Sequence, residues 1–174
     1  MAEPSSSTVR RRWAMAGSAL APLVAMVALV HGQGLPLRAI DTQAGQAVYQ
    51  ANCVACHQVT GDGISAAFPP LRGHVPTLLT ADGGRAYLLD VILFGIYGEI
   101  IVAGRSYSGL MPSWSHLSDA QVADVINYVA TAWGNDSALP VEFEAVTAEE
   151  VLRARSRALD AGLVHAQRRT LRLD

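Results

Sequence analysis

Lysine is absent from this chain of 174 residues, and cysteine occurs only twice. The 13 basic side chains are therefore all arginine, and with 15 acidic ones they give a net charge of −2. This near-neutral balance argues against a nucleic-acid partner, because nucleic acids are bound by basic surfaces. Both cysteines fall in one pentapeptide, so no pair remains for a structural disulfide elsewhere. With 51% hydrophobic and 16% charged residues, the composition is that of a globular protein, with room for one domain and appendages.

The pentapeptide is Cys53-Val54-Ala55-Cys56-His57. A C-x-x-C-H pattern in a short exported chain is typical of a c-type haem attachment site, in which two thiols add to the haem vinyl groups and the histidine binds the iron. A thioredoxin-type redox motif would require a βαβ pattern, which the sequence lacks. A zinc site would require further ligands, and there is no second cysteine pair. The motif therefore predicts one covalent haem c.

An N-terminal targeting segment is predicted over residues 1–32. Three arginines at 10–12 precede an uncharged run, and its most apolar part, residues 19–30, has 12 residues. This length is typical of a signal peptide and is short for a membrane span. Residues 13–30 would form a helix of about 27 Å, which is close to the thickness of the apolar part of a membrane. A retained membrane anchor is therefore the alternative to a signal peptide that is cleaved before Gln33. Because c-type haem is attached outside the inner membrane, both alternatives predict a periplasmic domain, either soluble or anchored to the inner membrane.

A haem domain is predicted over residues 39–136. Its first helix is capped by Asp41 or Thr42 and runs to the haem motif, with Gly45 and Tyr49 on one face. A glycine inside a helix costs roughly 1 kcal/mol relative to alanine. Gly45 therefore predicts the close approach of another helix, and an accidental glycine is the alternative.

A proline-rich segment, Phe68-Pro69-Pro70-Leu71, follows the haem motif. A histidine that binds a metal needs an acceptor for its other ring N–H, which orients the ring. The carbonyl of Pro69, 12 residues after His57, is the candidate acceptor. Simple rigidity of the loop is the alternative interpretation.

Met111 is the candidate sixth ligand of the iron. It is the only methionine of the predicted haem domain, and it lies on a loop before Pro112, 54 residues after His57. A buried methionine is usually a core residue, but that role is less expected on such a loop. His74 and His116 remain rival ligands, because histidine is the commonest metal ligand.

Two further elements are predicted before this loop. Residues 85–94 have the pattern of a second helix that ends at Gly95. Residues 100–102 and 105–107 have the pattern of a small two-stranded hairpin.

The last helix of the domain begins with a capping box formed by Ser118 and Gln121. It is predicted to end at Gly134-Asn135. Its apolar face follows helical spacing and consists of Val122, Val125, Ile126, Val129, Ala130 and Trp133.

Residues 137–174 are predicted to form a linker and a helical C-terminal extension. Thr147 and Glu150 form a second possible capping box, opening a helix that runs to about Ala161 and ends at Gly162. The extension is the basic end of the chain, and its arginines can form a solvated helix face or a docking element for a partner subunit. These residues are Arg153, Arg155, Arg157, Arg168, Arg169 and Arg172.

These features resemble the class I monohaem cytochromes c, including bacterial ones that serve periplasmic dehydrogenases or terminal oxidases. The resemblance covers about 95 residues and implies an all-α fold, with three to five helices around one covalent haem. It also implies that the terminal helices of the domain cross near Gly45 and Tyr128, and that His57 and Met111 bind the iron. The matching residues are Gly45, Tyr49, the haem motif, Pro69 to Leu71, Met111-Pro112, Tyr128 and Trp133 to Asn135.

The function implied is periplasmic electron transfer by a His/Met-ligated haem, with no substrate transformed and a redox protein as partner. The alternatives are an electron-transfer subunit of a dehydrogenase, reductase or oxidase, and a haem sensor whose iron binds ligands. One departure from the family concerns docking. Mitochondrial-type cytochromes present lysines to their partners, whereas residues 41–136 carry three arginines against eight acids, a net charge of −5.

Overall fold

The structure, a computed structural model, describes residues 42–173, and helices account for most of its regular elements. The helices are α1 Thr42–Asn52, α2 Val54–His57, α3 His74–Thr80, α4 Gly84–Phe94, α5 Asp119–Thr131, α6 Ala148–Arg155 and α7 Ala161–Thr170. The strands β1 Ile100–Val102 and β2 Arg105–Tyr107 form the predicted antiparallel hairpin. The all-α cytochrome c fold is confirmed. The targeting segment and the possible cap Asp41 lie outside the described residues.

Gly45 lies where α1 crosses α5. A Cβ atom on Gly45 would be 2.2 Å from the carbonyl oxygen of Asp124 and 2.6 Å from the Cβ of Tyr128. Only a residue without a side chain allows the two backbones to approach this closely. The close approach predicted from this glycine is therefore present, and the accidental alternative is wrong.

Three aromatic rings pack beside this crossing. The Tyr49 ring centre lies 5.5 Å from that of Tyr128 and 5.2 Å from that of Trp133. Trp133 is not part of the preceding helix, contrary to the prediction, because α5 ends at Thr131 and Trp133 has a left-handed φ of 58°. That conformation turns the indole so that its Nε1 donates to the carbonyl of Val59 at 3.0 Å.

The core lies between α1, α3, α4 and α5. Val75, Leu93, Val122 and Ile126 are among its fully buried side chains. Helix α3 was not predicted, since Pro76 interrupts its pattern. A proline in the first turn of a helix is tolerated because the N–H groups there have no partner within the helix. Helix α4 begins at Gly84, one residue before the predicted start.

The described part of the C-terminal extension, residues 137–173, contains two helices, where the sequence predicted one. Helix α6 begins after the Thr147 cap as expected but ends at Arg155. Helix α7 begins after Asp160, whose side chain accepts a hydrogen bond from the N–H of Leu163 at 2.8 Å. This local cap starts a new helix, so Gly162 lies in its first turn and does not end the earlier one.

Among residues 42–173, three ion pairs join the extension to the haem domain. Arg85 binds Glu150 through two nitrogen–oxygen contacts of 2.7 and 2.8 Å. The other pairs are Arg155 with Asp119 and Arg157 with Asp90. The interpretation of these two arginines as a solvated face is therefore wrong, because they bind acids of the same chain.

A buried asparagine adds a further link between the domain and the extension. Asn127 donates to the carbonyl of Val146 at 2.9 Å and accepts from its N–H at 2.8 Å. Within residues 42–173, no helix has the length and apolar character needed to cross a membrane.

Candidate functional site

An apolar cavity lies between α1, α2, α4 and the loop that carries Met111. It has about 1210 Å³ of space free of protein atoms, including the part open to solvent. Cys53, Cys56, His57, Pro69 and Met111 all line it. Most of the remaining wall is apolar, and includes Leu78, Leu88, Val91, Ile92, Ile96, Leu110, Leu117, Val125 and Val129.

The two cysteines lie on one turn of backbone at the start of α2. The N–H of Cys56 donates to the carbonyl of Cys53 at 3.2 Å, and the N–H of His57 donates to the same carbonyl at 2.9 Å. Burial, and then the neighbouring Cys56, raise the pKa of the Cys53 thiol to about 11. Both cysteines are half-buried and free of a disulfide, and both line the cavity beside His57.

The His57 ring is buried and held by one hydrogen bond. Its Nδ1 lies 3.0 Å from the carbonyl oxygen of Pro69. A carbonyl can only accept, so the proton is on Nδ1 and the lone pair is on Nε2. Burial lowers the pKa of His57, and the bond to Pro69 opposes this shift. The ring is thus kept neutral, which is the form that binds a metal.

The position of the Pro69 carbonyl depends on a tightly folded loop. A Cβ on Gly63 would lie 2.3 Å from the Phe68 oxygen and 2.6 Å from the Pro69 oxygen. Gly63 also has a φ of 68°, which glycine adopts without strain. Its N–H donates to the His57 carbonyl at 3.1 Å, so the loop folds back onto the haem motif.

Backbone hydrogen bonds place Met111 at the cavity. Its N–H and carbonyl pair with the carbonyl and N–H of Ile96, at 3.1 and 3.0 Å. A Cβ on Gly95 would lie 2.6 Å from the Met111 oxygen, so the glycine that ends α4 allows the loop to approach. Nearby, the Ser113 hydroxyl donates to the Leu93 carbonyl at 2.6 Å. The end of α4 therefore supports the methionine loop.

The two rival histidines have different locations. His74 lines the cavity, and burial, followed by the charge of Arg168, lowers its pKa to about 4. His116 is exposed beside Trp114 and is not among the lining residues of this cavity. Within residues 42–173, no group of three or more His, Cys, Asp or Glu side chains is placed to hold a metal ion.

Two hydrogen bonds near the site were not identified from the sequence, although their residues were. The Tyr49 hydroxyl donates to the carbonyl of Gln58, next to the haem motif, at 2.6 Å. Burial raises the pKa of Tyr49 beyond its usual range, so this hydroxyl stays protonated. Asn135 is 2% exposed, and its side-chain oxygen accepts a hydrogen bond from the Gly73 N–H at 2.7 Å. No sequence pattern marks these contacts, because their partners do not share one helix or one turn.

The lining fits a haem. Two thiols can form thioether bonds at one edge, His57 offers a neutral imidazole, and Met111 offers a thioether. The apolar wall suits the macrocycle, since burying an apolar surface removes it from water.

The comparisons with known proteins agree with this chemistry. The family model described as "Cytochrome c" matches residues 42–133. Cytochrome c-552 of Thermus thermophilus is 46% identical over 131 residues, which cover 75% of this chain and 99% of that protein.

Other relatives are subunits of larger enzymes. The cytochrome c subunit of a quinone alcohol dehydrogenase from Gluconobacter oxydans is 38% identical over 54% of this chain and 19% of the subunit. The cytochrome c subunit of gluconate 2-dehydrogenase from Pantoea cypripedii is 34% identical over 55% of this chain and 21% of the subunit. The family match, the identity to cytochrome c-552 and the haem motif agree, so this chain belongs to the cytochrome c family, binds haem c covalently and serves electron transfer.

Proposed function

We propose that this protein is a periplasmic electron carrier whose haem iron is bound by His57 and Met111. The observation that supports this most is that both side chains line one apolar cavity together with the two thiols. When bound there, the haem iron supplies the chemistry by cycling between its ferric and ferrous forms.

The chain contributes binding, orientation and exclusion of water. Pro69 orients the His57 ring through its 3.0 Å contact with Nδ1, and such a bond raises the basicity of the ligand. Met111 contributes a thioether, which favours ferrous iron and raises the reduction potential. No residue of the cavity is assigned to transform a substrate, and the proposed function is therefore not enzymatic.

The proposed location follows from the N-terminal segment and the covalent haem. Residues 13–30 are apolar and follow the arginines at 10–12, as in a signal peptide or an anchor. The proposed location is the periplasm, where the protein is either soluble or attached to the inner membrane through residues 13–30. Its partner is a redox protein, and neither nucleic acid nor a small substrate is proposed.

An electron-transfer subunit of a larger enzyme is the second candidate function. It is favoured by the relatives that are cytochrome c subunits of dehydrogenases. Purification of the native protein discriminates the two functions. A carrier is recovered as a single polypeptide, whereas a subunit is recovered with a stoichiometric dehydrogenase, reductase or oxidase chain.

The ligation is tested by Met111→Ala in the haem-loaded protein. The variant is expected to lose the weak absorption band of thioether-bound ferric haem near the red end of the visible spectrum, to have a lower reduction potential, and to bind carbon monoxide. His116→Ala is the control, since its side chain is exposed and away from the cavity. A Met111→Ala variant that keeps both band and potential would contradict the proposal and direct the test to His74. Carbon monoxide binding by the unmutated reduced protein would instead indicate a sensor.

A further inference from the structure

Helix α7 contacts the backbone that precedes β1 through His165. The Nε2 atom of His165 lies 2.7 Å from the carbonyl oxygen of Glu99. A carbonyl can only accept, so Nε2 carries a proton and is the donor. The ring also lies against Gly98, because a Cβ atom on that residue would be 2.8 Å from both Cε1 and Nε2 of the ring. The absence of a side chain at Gly98 therefore lets the imidazole approach the backbone directly.

The contacted backbone belongs to residues 96–99, which also support the methionine loop. The N–H and carbonyl of Ile96 pair with the carbonyl and N–H of Met111, at 3.0 and 3.1 Å. Ile96, Gly98 and Met111 all line the haem cavity. The segment 96–99 is thus bound to the Met111 backbone at one end and to His165 at the other.

The residues in the middle of this segment leave its backbone much conformational freedom. Tyr97 is 70% exposed, so burial of its ring does little to fix the chain. Gly98 has a φ of 131°, a conformation that is open to glycine and that most other residues avoid. The hydrogen bond from His165 therefore restricts a part of the chain that its own side chains restrict weakly.

His165 is held in place by the packing of its helix. Val164, the preceding residue of α7, is fully buried. Arg168 donates to the carbonyl of Ile101 on β1. Residues three apart lie on the same face of a helix, so His165 and Arg168 contact neighbouring parts of the chain together. The imidazole donor is thus fixed relative to the start of β1.

We propose that His165 is a positioning residue for the sixth ligand of the haem iron, acting through residues 96–99 on the Met111 backbone. This inference rests on the proposed ligation by Met111. A thioether favours ferrous iron, so its bond to ferric iron depends most on how well the loop holds the sulfur in place. Partners that orient a metal ligand affect the site although they do not touch the metal. Loss of the His165 hydrogen bond therefore raises the population of ferric protein in which Met111 is away from the iron.

The test measures how readily imidazole replaces Met111 in the haem-loaded ferric protein, from the loss of the thioether absorption band as imidazole is added. His165→Ala removes the donor. We expect it to bind imidazole up to about fivefold more tightly than wild type, a factor that corresponds to one hydrogen bond of ordinary net strength. His165→Gln retains an Nε2 donor and should bind imidazole less tightly than the alanine variant.

Glu150→Gln is the matched control. It weakens the attachment of the extension at α6, where Glu150 binds Arg85, and it removes no contact of residues 96–99. This variant should bind imidazole as wild type does. An increase as large as that of His165→Ala would overturn the proposal, since general loosening of the extension would then explain both effects. Equal imidazole binding by the alanine and glutamine variants of His165 would also overturn it, because the Nε2 donor would then have no effect.

The outcomes separate this inference from the proposed ligation. A Met111→Ala protein that keeps the thioether band contradicts the ligation and, with it, the role of His165. If Met111→Ala loses the band but His165→Ala binds imidazole as wild type does, the ligation stands and only the role of His165 is refuted. If His165→Ala does not fold, His165→Phe takes its place, since phenylalanine keeps a ring beside Gly98 and lacks the donor.

Discussion

Replacing Gly45 by alanine places a methyl group between two helix backbones. The new Cβ would lie 2.2 Å from the Asp124 oxygen and 2.6 Å from the Tyr128 Cβ, whereas ordinary contact begins at 3.4 Å. The difference between 3.4 and 2.2 is 1.2 Å, so α1 and α5 must separate by about that distance. Alanine improves the helix propensity of α1 by roughly 1 kcal/mol.

The clash outweighs the gain in propensity because the atoms contacted belong to backbone and Cβ, which cannot rotate away. Overpacking a core costs about 1–3 kcal/mol and occasionally more, and this contact is at the severe end of that range. Separation of the helices also loosens the packing of Tyr49 against Tyr128 and Trp133. We therefore expect Gly45→Ala to lower the free energy of unfolding by about 2 kcal/mol after the propensity gain.

The assay is guanidinium denaturation of the haem-loaded protein, followed by circular dichroism. Gln46→Ala is the control, because Gln46 is the next residue of the same helix and is exposed. It should leave the denaturation midpoint nearly unchanged or raise it slightly. A Gly45→Ala protein as stable as the wild type would refute the reasoning, since it would mean that the helices separate without loss of packing.

Two further predictions concern the ion pairs of the extension. Arg157→Gln leaves the carboxylate of Asp90, which is 1% exposed, without its partner, and should lower the free energy of unfolding by about 3 kcal/mol in the same denaturation assay. The control is Arg153→Gln, which removes an exposed ion pair and should lower it by less than about 1 kcal/mol. Equal effects of the two substitutions would contradict the prediction. Hydrogen bonding to Arg85 lowers the pKa of Glu150. The pair therefore stabilises the fold fully at a pH above the ordinary glutamate pKa, and this stabilisation is lost as the pH falls through the lowered pKa of Glu150. Glu150→Gln should therefore be less stable than wild type at neutral pH, with a difference that shrinks towards acid pH; a difference that grows there would contradict this assignment.

The local features of the chain could be predicted from its sequence. The Cys53 to His57 motif identified the haem, since two thiols and an imidazole at fixed spacing perform one chemistry. Gly45 predicted the helix crossing, and the Ser118 and Gln121 capping box is complete in the structure. These features are determined by spacing along one helix or one turn, so they can be recognised without knowledge of distant contacts.

The errors arose where local signals compete with each other. Pro76 concealed α3, the Asp160 cap divided the predicted last helix, and Trp133 adopted a left-handed conformation. In the last two cases the backbone follows a cap or a tertiary contact that periodicity does not describe. Propensity is a weak preference, and a single contact with the rest of the chain can override it.

Tertiary structure alone decided which groups the C-terminal extension contacts. The sequence shows a helix rich in arginine, a pattern compatible with a solvated face or a docking element. Folding places Arg157 against Asp90, which is 67 residues away in the chain, and buries Arg168 beside Tyr87 and Ile101. The difference between what the sequence and the tertiary structure determined has a physical cause. Spacing within a motif fixes which groups share one turn, but the partner of a charge is fixed only when distant segments pack together and exclude water.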